Sequence, residues 1–226
     1  MSGSRASAEI VEQITRAFFA GMKAGEWIGT ETELAKSFGV SRITARDAIR
    51  ILETRGVVEV RVGAHGGVRV ARADPRRLRD SLGIQLHLLG VTPAELLGAR
   101  LAMEPAAAAL AATKASADDI RGLRDLLDEA LDLADDPARR ADFVSACARF
   151  HGAVVSASHN RALEVSVLAL HTDSDPMALP CSAVWKPAAD VCATHQRILA
   201  SIQARDPDAA RRLLQEHLEE IEVPEE

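Results

Sequence analysis

The sequence predicts a mainly α chain in two parts, three helices with a two-stranded wing over residues 1–72 and an all-helical antiparallel bundle over residues 73–226. Three observations carry this. Between residues 30 and 70, two short helical patterns joined at a glycine are followed by two β-branched runs joined by a glycine-rich tip. After residue 73, alanine- and leucine-rich stretches of helical period alternate with helix-start signals, and no strand pattern interrupts them. Charge divides at the same place. Residues 1–72 hold 11 basic and 8 acidic side chains, a net of +3, which against −6 for the whole chain leaves −9 for residues 73–226.

The first part reads in order. Thr30 to Glu33 is a T-x-x-E capping box opening a helix whose apolar positions are Leu34, Ala35 and Phe38. Gly39 takes the left-handed turn without a Cβ clash, and Ala35 lets two helices approach closely. Ser41 caps the next helix, in which Ala45, Ala48, Ile49 and Leu52 fall on one face while Arg42, Arg46 and Arg50 recur every four residues on another. Residues 56–60 and 67–70 then read as two strands joined by the tip 61–66. Taken alone, an Arg stripe is usually a solvated helix face. Tied to a capped helix, an Ala-x3-Gly turn and a glycine-tipped hairpin in this order, it reads as a winged helix-turn-helix bound to double-stranded DNA. The N-terminal residues of such a recognition helix lie nearest the bases, so Ser41, Arg42, Thr44 and Arg46 lead. Arg50 continues the stripe, and His65 stands at the wing tip near phosphate.

In the second part, Asp74-Pro75, Thr92-Pro93 with Glu95, Ser116 with Asp119, Asp136-Pro137 and Asp206-Pro207 read as helix starts. They open helices over 75–89, 93–113, 117–134, 137–158 and 207–221, with further helical runs at 161–171 and 187–204. Residues 172–186, with Pro176 and Pro180, are irregular. This pattern is that of a helical bundle.

Three readings exist for the bundle's histidines and cysteines. Cys147 and His151 are i and i+4, so they share a helix face, as two ligands of one metal must, and His195 and His217 lie on two further helices. A thiolate with three imidazoles favours Zn²⁺ over harder divalent ions. A rival set is Cys181, Cys192 and His195; another reading leaves the three histidines without metal in a polar pocket. Arg100 sits mid-helix in an apolar stretch with Glu104 one turn later, which by itself predicts an intrahelical ion pair. His87, His159 and His171 read as structural or exposed. Three cysteines and no apolar leader or membrane-length apolar run predict a cytoplasmic protein with no disulfide framework and no membrane partner.

Residues 14–70 resemble the DNA-binding domain of the GntR family of bacterial transcription regulators. The resemblance rests on Glu31-Thr32-Glu33-Leu34-Ala35, on the run from Gly39 to Ile49, on Leu52 and Gly56, and on the wing glycines Gly63, Gly66 and Gly67. It implies that Arg42, Thr44, Arg46 and Gly66 touch operator DNA. This chain has Gly29-Thr30 where the family usually has Pro-Ser, and Thr32 where many members have an Arg that reaches a base. The bundle is similar to the FCD sensor domain of the family's FadR-like branch, through the helix carrying Arg100 and Glu104, through Phe150-His151 and His159-Asn160, and through His195 and His217. That implies a homodimer reading an inverted repeat, a bundle that binds a small carboxylate through Arg100, and a metal site built from Asp-x3-His plus one His on each of the last two helices. Cys147 stands where the pattern has Asp. The expected function is a metabolite-responsive repressor. A metal-responsive regulator and a metal-dependent enzyme with a DNA-binding appendage are the alternatives, the latter opposed by the lack of an adjoining base such as the Glu of H-E-x-x-H.

Overall fold

The computed structural model describes residues 2–63, 66–168, 170 and 187–221. His65, Cys181, His171 and the irregular segment 172–186 lie outside the described residues. The chain divides into two compact units, Met1–Asp74 and Pro75–Glu226.

The first unit opens with α1 (Ser2–Phe19), then β1 (Trp27–Gly29), α2 (Glu31–Ser37), α3 (Arg42–Thr54), β2 (Val58–Arg61) and β3 (Gly67–Val70). Its core joins Ile10, Val11 and Ile14 of α1 to Leu34, Ala48, Ile49 and Leu52, with Val58 and Val68 from the sheet. The capping box forms as expected. The Glu33 amide donates to Thr30 Oγ1 at 3.2 Å, and the Thr30 amide donates to Glu33 Oε2 at 2.8 Å. Gly39 sits at φ +64°, and the amides of Gly39 and Val40 donate to Lys36 and Ala35 carbonyls, which closes α2 with a Schellman turn. Gly56 does the same for α3, with the Gly56 and Val57 amides on Glu53 and Leu52. This moves Gly56 out of the strand expected at 56–60, because a residue at φ +71° closes a helix rather than extending a ladder. The sheet also has a third strand, in the order β1-β3-β2, so β3 is central and β2 of the wing hairpin lies at an edge. Three residues carry too little alternation to announce β1 in the sequence.

The second unit contains α4 (Pro75–Leu88), α5 (Pro93–Lys114), α6 (Ala117–Leu133), a 3-10 turn (Pro137–Arg139), α7 (Arg140–Ser156), α8 (Arg161–Leu168), α9 (Ala188–Gln203) and α10 (Pro207–Glu219). Thr92 with Glu95 and Ser116 with Asp119 form capping boxes, and Asp206 accepts from the Ala209 amide to start α10. Asp136 caps the 3-10 turn instead of α7, which therefore begins at Arg140 rather than Pro137. α5 is the hub. It packs against α7, α8, α9 and α10, and its alanines at 107, 108, 111 and 112 are fully buried, so neighbouring helices come close on several sides. Leu123, Phe143, Phe150, Ile198, Ile202 and Leu214 fill the main core.

Candidate DNA interface and candidate metal centre

α3 separates its two faces as its sequence demands. Ala45, Ala48, Ile49 and Leu52 are buried, whereas Ser41, Arg42, Arg46 and Arg50 are exposed. Ser41 Oγ accepts from the Thr44 amide at 3.1 Å and lies 2.9 Å from Thr44 Oγ1, so the two hydroxyls order the first turn together. At the wing tip the Gly66 amide donates to the Gly63 carbonyl at 2.9 Å, and a Cβ added at Gly66 would stand 2.5 Å from the Arg61 carbonyl oxygen. Only glycine fits there.

The Arg stripe carries a partner that local spacing does not reveal. Glu31, the first residue of α2, accepts from Arg46 Nε and Nη2, each at 2.9 Å, and its Oε1 lies 3.7 Å from Arg42 Nε. The hydrogen bonds from Arg46 hold the Glu31 carboxyl below the usual carboxylate range, with the charges of Arg46, Arg42 and Arg50 adding to the effect. Fifteen residues separate Glu31 from Arg46, so no helical periodicity links them.

In the bundle, His151 of α7, His195 of α9 and His217 of α10 converge with a ligand nitrogen from each within 4.8 Å of the others. All three are no more than 1% exposed. His195 Nε2 and His217 Nε2 are 3.2 Å apart. Two ligands about 2.0–2.1 Å from a tetrahedral Zn²⁺ would stand about 3.4 Å apart, so this separation suits a shared cation. His195 stacks on Phe150, centroids 4.4 Å apart and planes 16° from parallel, and the His195 Nδ1 has no hydrogen-bond partner among the described residues. Burial, reinforced by neighbouring His151 and His217, holds the His195 imidazole well below its ordinary pKa and therefore in the neutral form that ligates metal.

Glu104 completes the cluster from α5. Its Oε2 lies 2.7 Å from His151 Nδ1, and its Oε1 accepts from Arg100 Nε at 2.5 Å. A carboxylate can only accept, so Nδ1 carries the proton and the His151 lone pair stays on Nε2, an arrangement found behind many metal-bound histidines. The sequence shows Glu104 only as the i+4 partner of Arg100; its contact with His151 spans 47 residues and is tertiary. The Arg100–Glu104 pair expected from spacing is present and is buried, with side chains 6% and 0% exposed.

Cys147 departs from expectation. The structure assembles three of the four expected ligands and leaves Cys147 outside the group, fully buried in the apolar core one turn earlier on α7. Cys192, of the rival set, is also core-packed. His159 is exposed, with Nε2 2.9 Å from Asp119 Oδ2 at the start of α6.

Residues 6–70 match the family model of bacterial regulatory proteins of the gntR family, and residues 95–220 match the FCD domain. The chain belongs to the GntR family. Among curated GntR relatives, it is 30% identical over 211 residues to the Uxu operon regulator of Haemophilus influenzae, covering 88% of this chain and 73% of that protein. It is 27% identical to the Exu regulon transcriptional regulator of Escherichia coli, with 96% and 81% covered, and 26% identical to the HTH-type transcriptional regulator LutR of Bacillus subtilis, with 89% and 92% covered. A solved GntR structure from Streptococcus agalactiae shares the fold at a TM-score of 0.61 and 22% identity, over 97% of this chain and 98% of that one. GntR regulators act on operator DNA and are not enzymes, which removes the metal-dependent enzyme from consideration. Among the described residues no helix is long and apolar enough to cross a membrane.

Proposed function

We propose that this GntR regulator is a cytoplasmic, homodimeric repressor whose FCD bundle holds one divalent metal at His151, His195 and His217 and reads a small carboxylate there. The observation that carries this reading is three imidazoles from three helices, buried and converging, with Glu104 fixing the tautomer of one of them. Three imidazoles leave coordination positions for an effector's oxygens. Zn²⁺ suits such a set in tetrahedral geometry, and without the thiolate Ni²⁺, Co²⁺ and Mn²⁺ compete better than a Cys-containing set would allow. Arg100, held by Glu104 beside the cluster, supplies the guanidinium for the acid. Relatives named for an operon and a regulon support operon-level control.

On the DNA side, Arg42, Thr44 and Arg46 read bases, while Ser41, Arg50, His65 and the backbone at Gly66 serve the phosphates. One 13-residue recognition helix specifies too few base pairs for a genome, so two copies read an inverted repeat. The exposed Ile84, Leu88 and Leu89 at the end of α4 give apolar surface for the second copy.

A second reading, in which the metal itself is the signal, is favoured by the engagement of Arg100 with Glu104. Operator binding measured with metal-stripped protein, metal-loaded protein and metal-loaded protein plus a panel of small carboxylates separates the two. A sensor of acids changes operator affinity only in the third condition and loses that response in Arg100→Ala. A metal sensor changes it in the second. A protein that purifies without metal, takes up none at neutral pH and ignores every acid would sink both.

A further inference from the structure

We propose that Glu31 is a specificity-determining residue: it buttresses Arg46 so that the guanidinium presents its far edge to a guanine in the major groove. This rests on the reading of α3 as the recognition helix. A guanidinium has two usable edges. Glu31 takes the edge formed by Nε and Nη2, with both bonds at 2.9 Å, which leaves Nη1 and the outward hydrogen of Nη2 as a parallel pair of donors. Two parallel donors match guanine O6 and N7, the commonest specific Arg contact in the major groove. The anchoring carboxylate is itself anchored. It belongs to the first residue of α2, whose position is set by the Thr30–Glu33 capping box and whose Glu31 side chain is only 27% exposed, whereas Arg46 is 49% exposed and would otherwise sample many rotamers.

The carboxylate has a second consequence. It stands beside Arg42 and Arg46, so it cancels part of the positive charge that would draw α3 to any phosphate backbone. Glu31 therefore strengthens binding at the matching site by orientation and weakens binding elsewhere by charge. Both effects widen the ratio between specific and non-specific affinity.

The test uses the full-length protein, a duplex enriched from a randomised pool by the parent, and a scrambled duplex of the same length and composition, at matched salt. In Glu31→Gln the affinity ratio should fall about tenfold, through weaker binding to the enriched duplex and equal or tighter binding to the scrambled one. Reselection with Glu31→Gln should relax one guanine position per half-site and leave the others. In an Arg46→Ala background, Glu31→Gln should move the ratio by less than about twofold, since there is nothing left to orient. Glu31→Asp, which keeps the charge but falls one methylene short, should lose the ratio without raising scrambled-duplex affinity. The α2 cap uses Thr30 and Glu33, so thermal melts of these variants should match the parent. If Glu31→Gln tightens both duplexes by the same factor, or leaves the ratio unchanged while Arg46→Ala lowers it, Glu31 is no buttress and the proposal fails with the recognition helix intact. If Arg46→Ala keeps the parental ratio, the helix assignment fails and takes the proposal with it.

Discussion

A carboxylate with 0% exposure sits in the bundle with both oxygens engaged, one by the Arg100 guanidinium and one by the His151 imidazole. Breaking a buried ion pair by truncating one partner typically costs about 3–5 kcal/mol, so Glu104→Ala should lower the unfolding free energy on that scale. Glu104→Gln should cost less and still weaken Zn²⁺ binding about 10- to 100-fold, because the Nδ1 acceptor that orients His151 is no longer charged. Chemical denaturation and competition with a chromogenic chelator measure the two effects. Cys147 tests the ligand set from the other side. Cys147→Ala should change Zn²⁺ affinity little, since the sulfur lies outside the three-histidine group, whereas Cys147→Asp should raise affinity and broaden selectivity to harder ions by adding a donor one bond longer. A large loss in Cys147→Ala would return the thiolate to the site. On the DNA side, Arg46→Ala should weaken operator binding about tenfold to a hundredfold without altering the melt. At this scale the sequence displayed residue types and i, i+4 neighbours, hence Arg100 with Glu104 and the Arg42, Arg46, Arg50 stripe. It could not display Glu104 beside His151 or Glu31 beside Arg46, because those contacts exist only after helices from distant parts of the chain have packed.

The helix starts were legible because a cap is a local device: Thr30 with Glu33, Thr92 with Glu95 and Ser116 with Asp119 need only four consecutive residues to form. Gly39 and Gly56 are local too, although Gly56 looked like part of a strand until the C-terminal turn of α3 claimed it. β1 was not legible, since its pairing with β3 joins residues about 40 apart in the chain. Replacing Thr30 by Ala should cost about 1 kcal/mol, and Gly39→Ala about 1–2 kcal/mol because at φ +64° an L side chain crowds its own adjoining carbonyl, although the space around Gly39 is otherwise open. The caps also set an acid limit. Backbone hydrogen bonds from Thr30 and Thr92 hold Glu33 and Glu95 below the usual carboxylate range, and the Ser116 hydroxyl does the same for Asp119. A carboxylate whose pKa is depressed on folding contributes stability that is present above its unfolded value, near 4, and is lost as pH falls through the folded value. Urea midpoints should thus fall below about pH 4, less steeply in Glu33→Gln and Glu95→Gln, after an earlier decline that begins near pH 6.5, where the unfolded chain protonates His195, which burial keeps neutral in the folded state. An unchanged acid slope in both variants would assign the loss to other groups.

Across the whole molecule, a net of +3 in residues 1–72 and −9 in the remainder restricts phosphate attraction to the first unit, while the second keeps its buried ligands away from any polyanion. Each unit has its own apolar core, so a ligand of the bundle reaches operator affinity only by preferring one arrangement of the DNA-binding units over another. That leaves a direct thermodynamic signature. A metal that binds the folded bundle and not the unfolded chain stabilises it by RT ln(1 + [metal]/Kd), about 2.7 kcal/mol at a hundredfold excess over Kd. For a unit the size of Pro75–Glu226 this is a rise of roughly 5–10 °C in melting temperature. Calorimetry of metal-stripped full-length protein should therefore show a transition that climbs with added Zn²⁺ in the parent, and does not climb in His195→Ala or His217→Ala. The same titration in Arg46→Ala should reproduce the parent, since the recognition helix takes no part in the bundle's metal. A Zn²⁺-dependent rise that persists in both histidine variants would place the ion elsewhere, and with it the part of the bundle that any effector must use to reach the DNA.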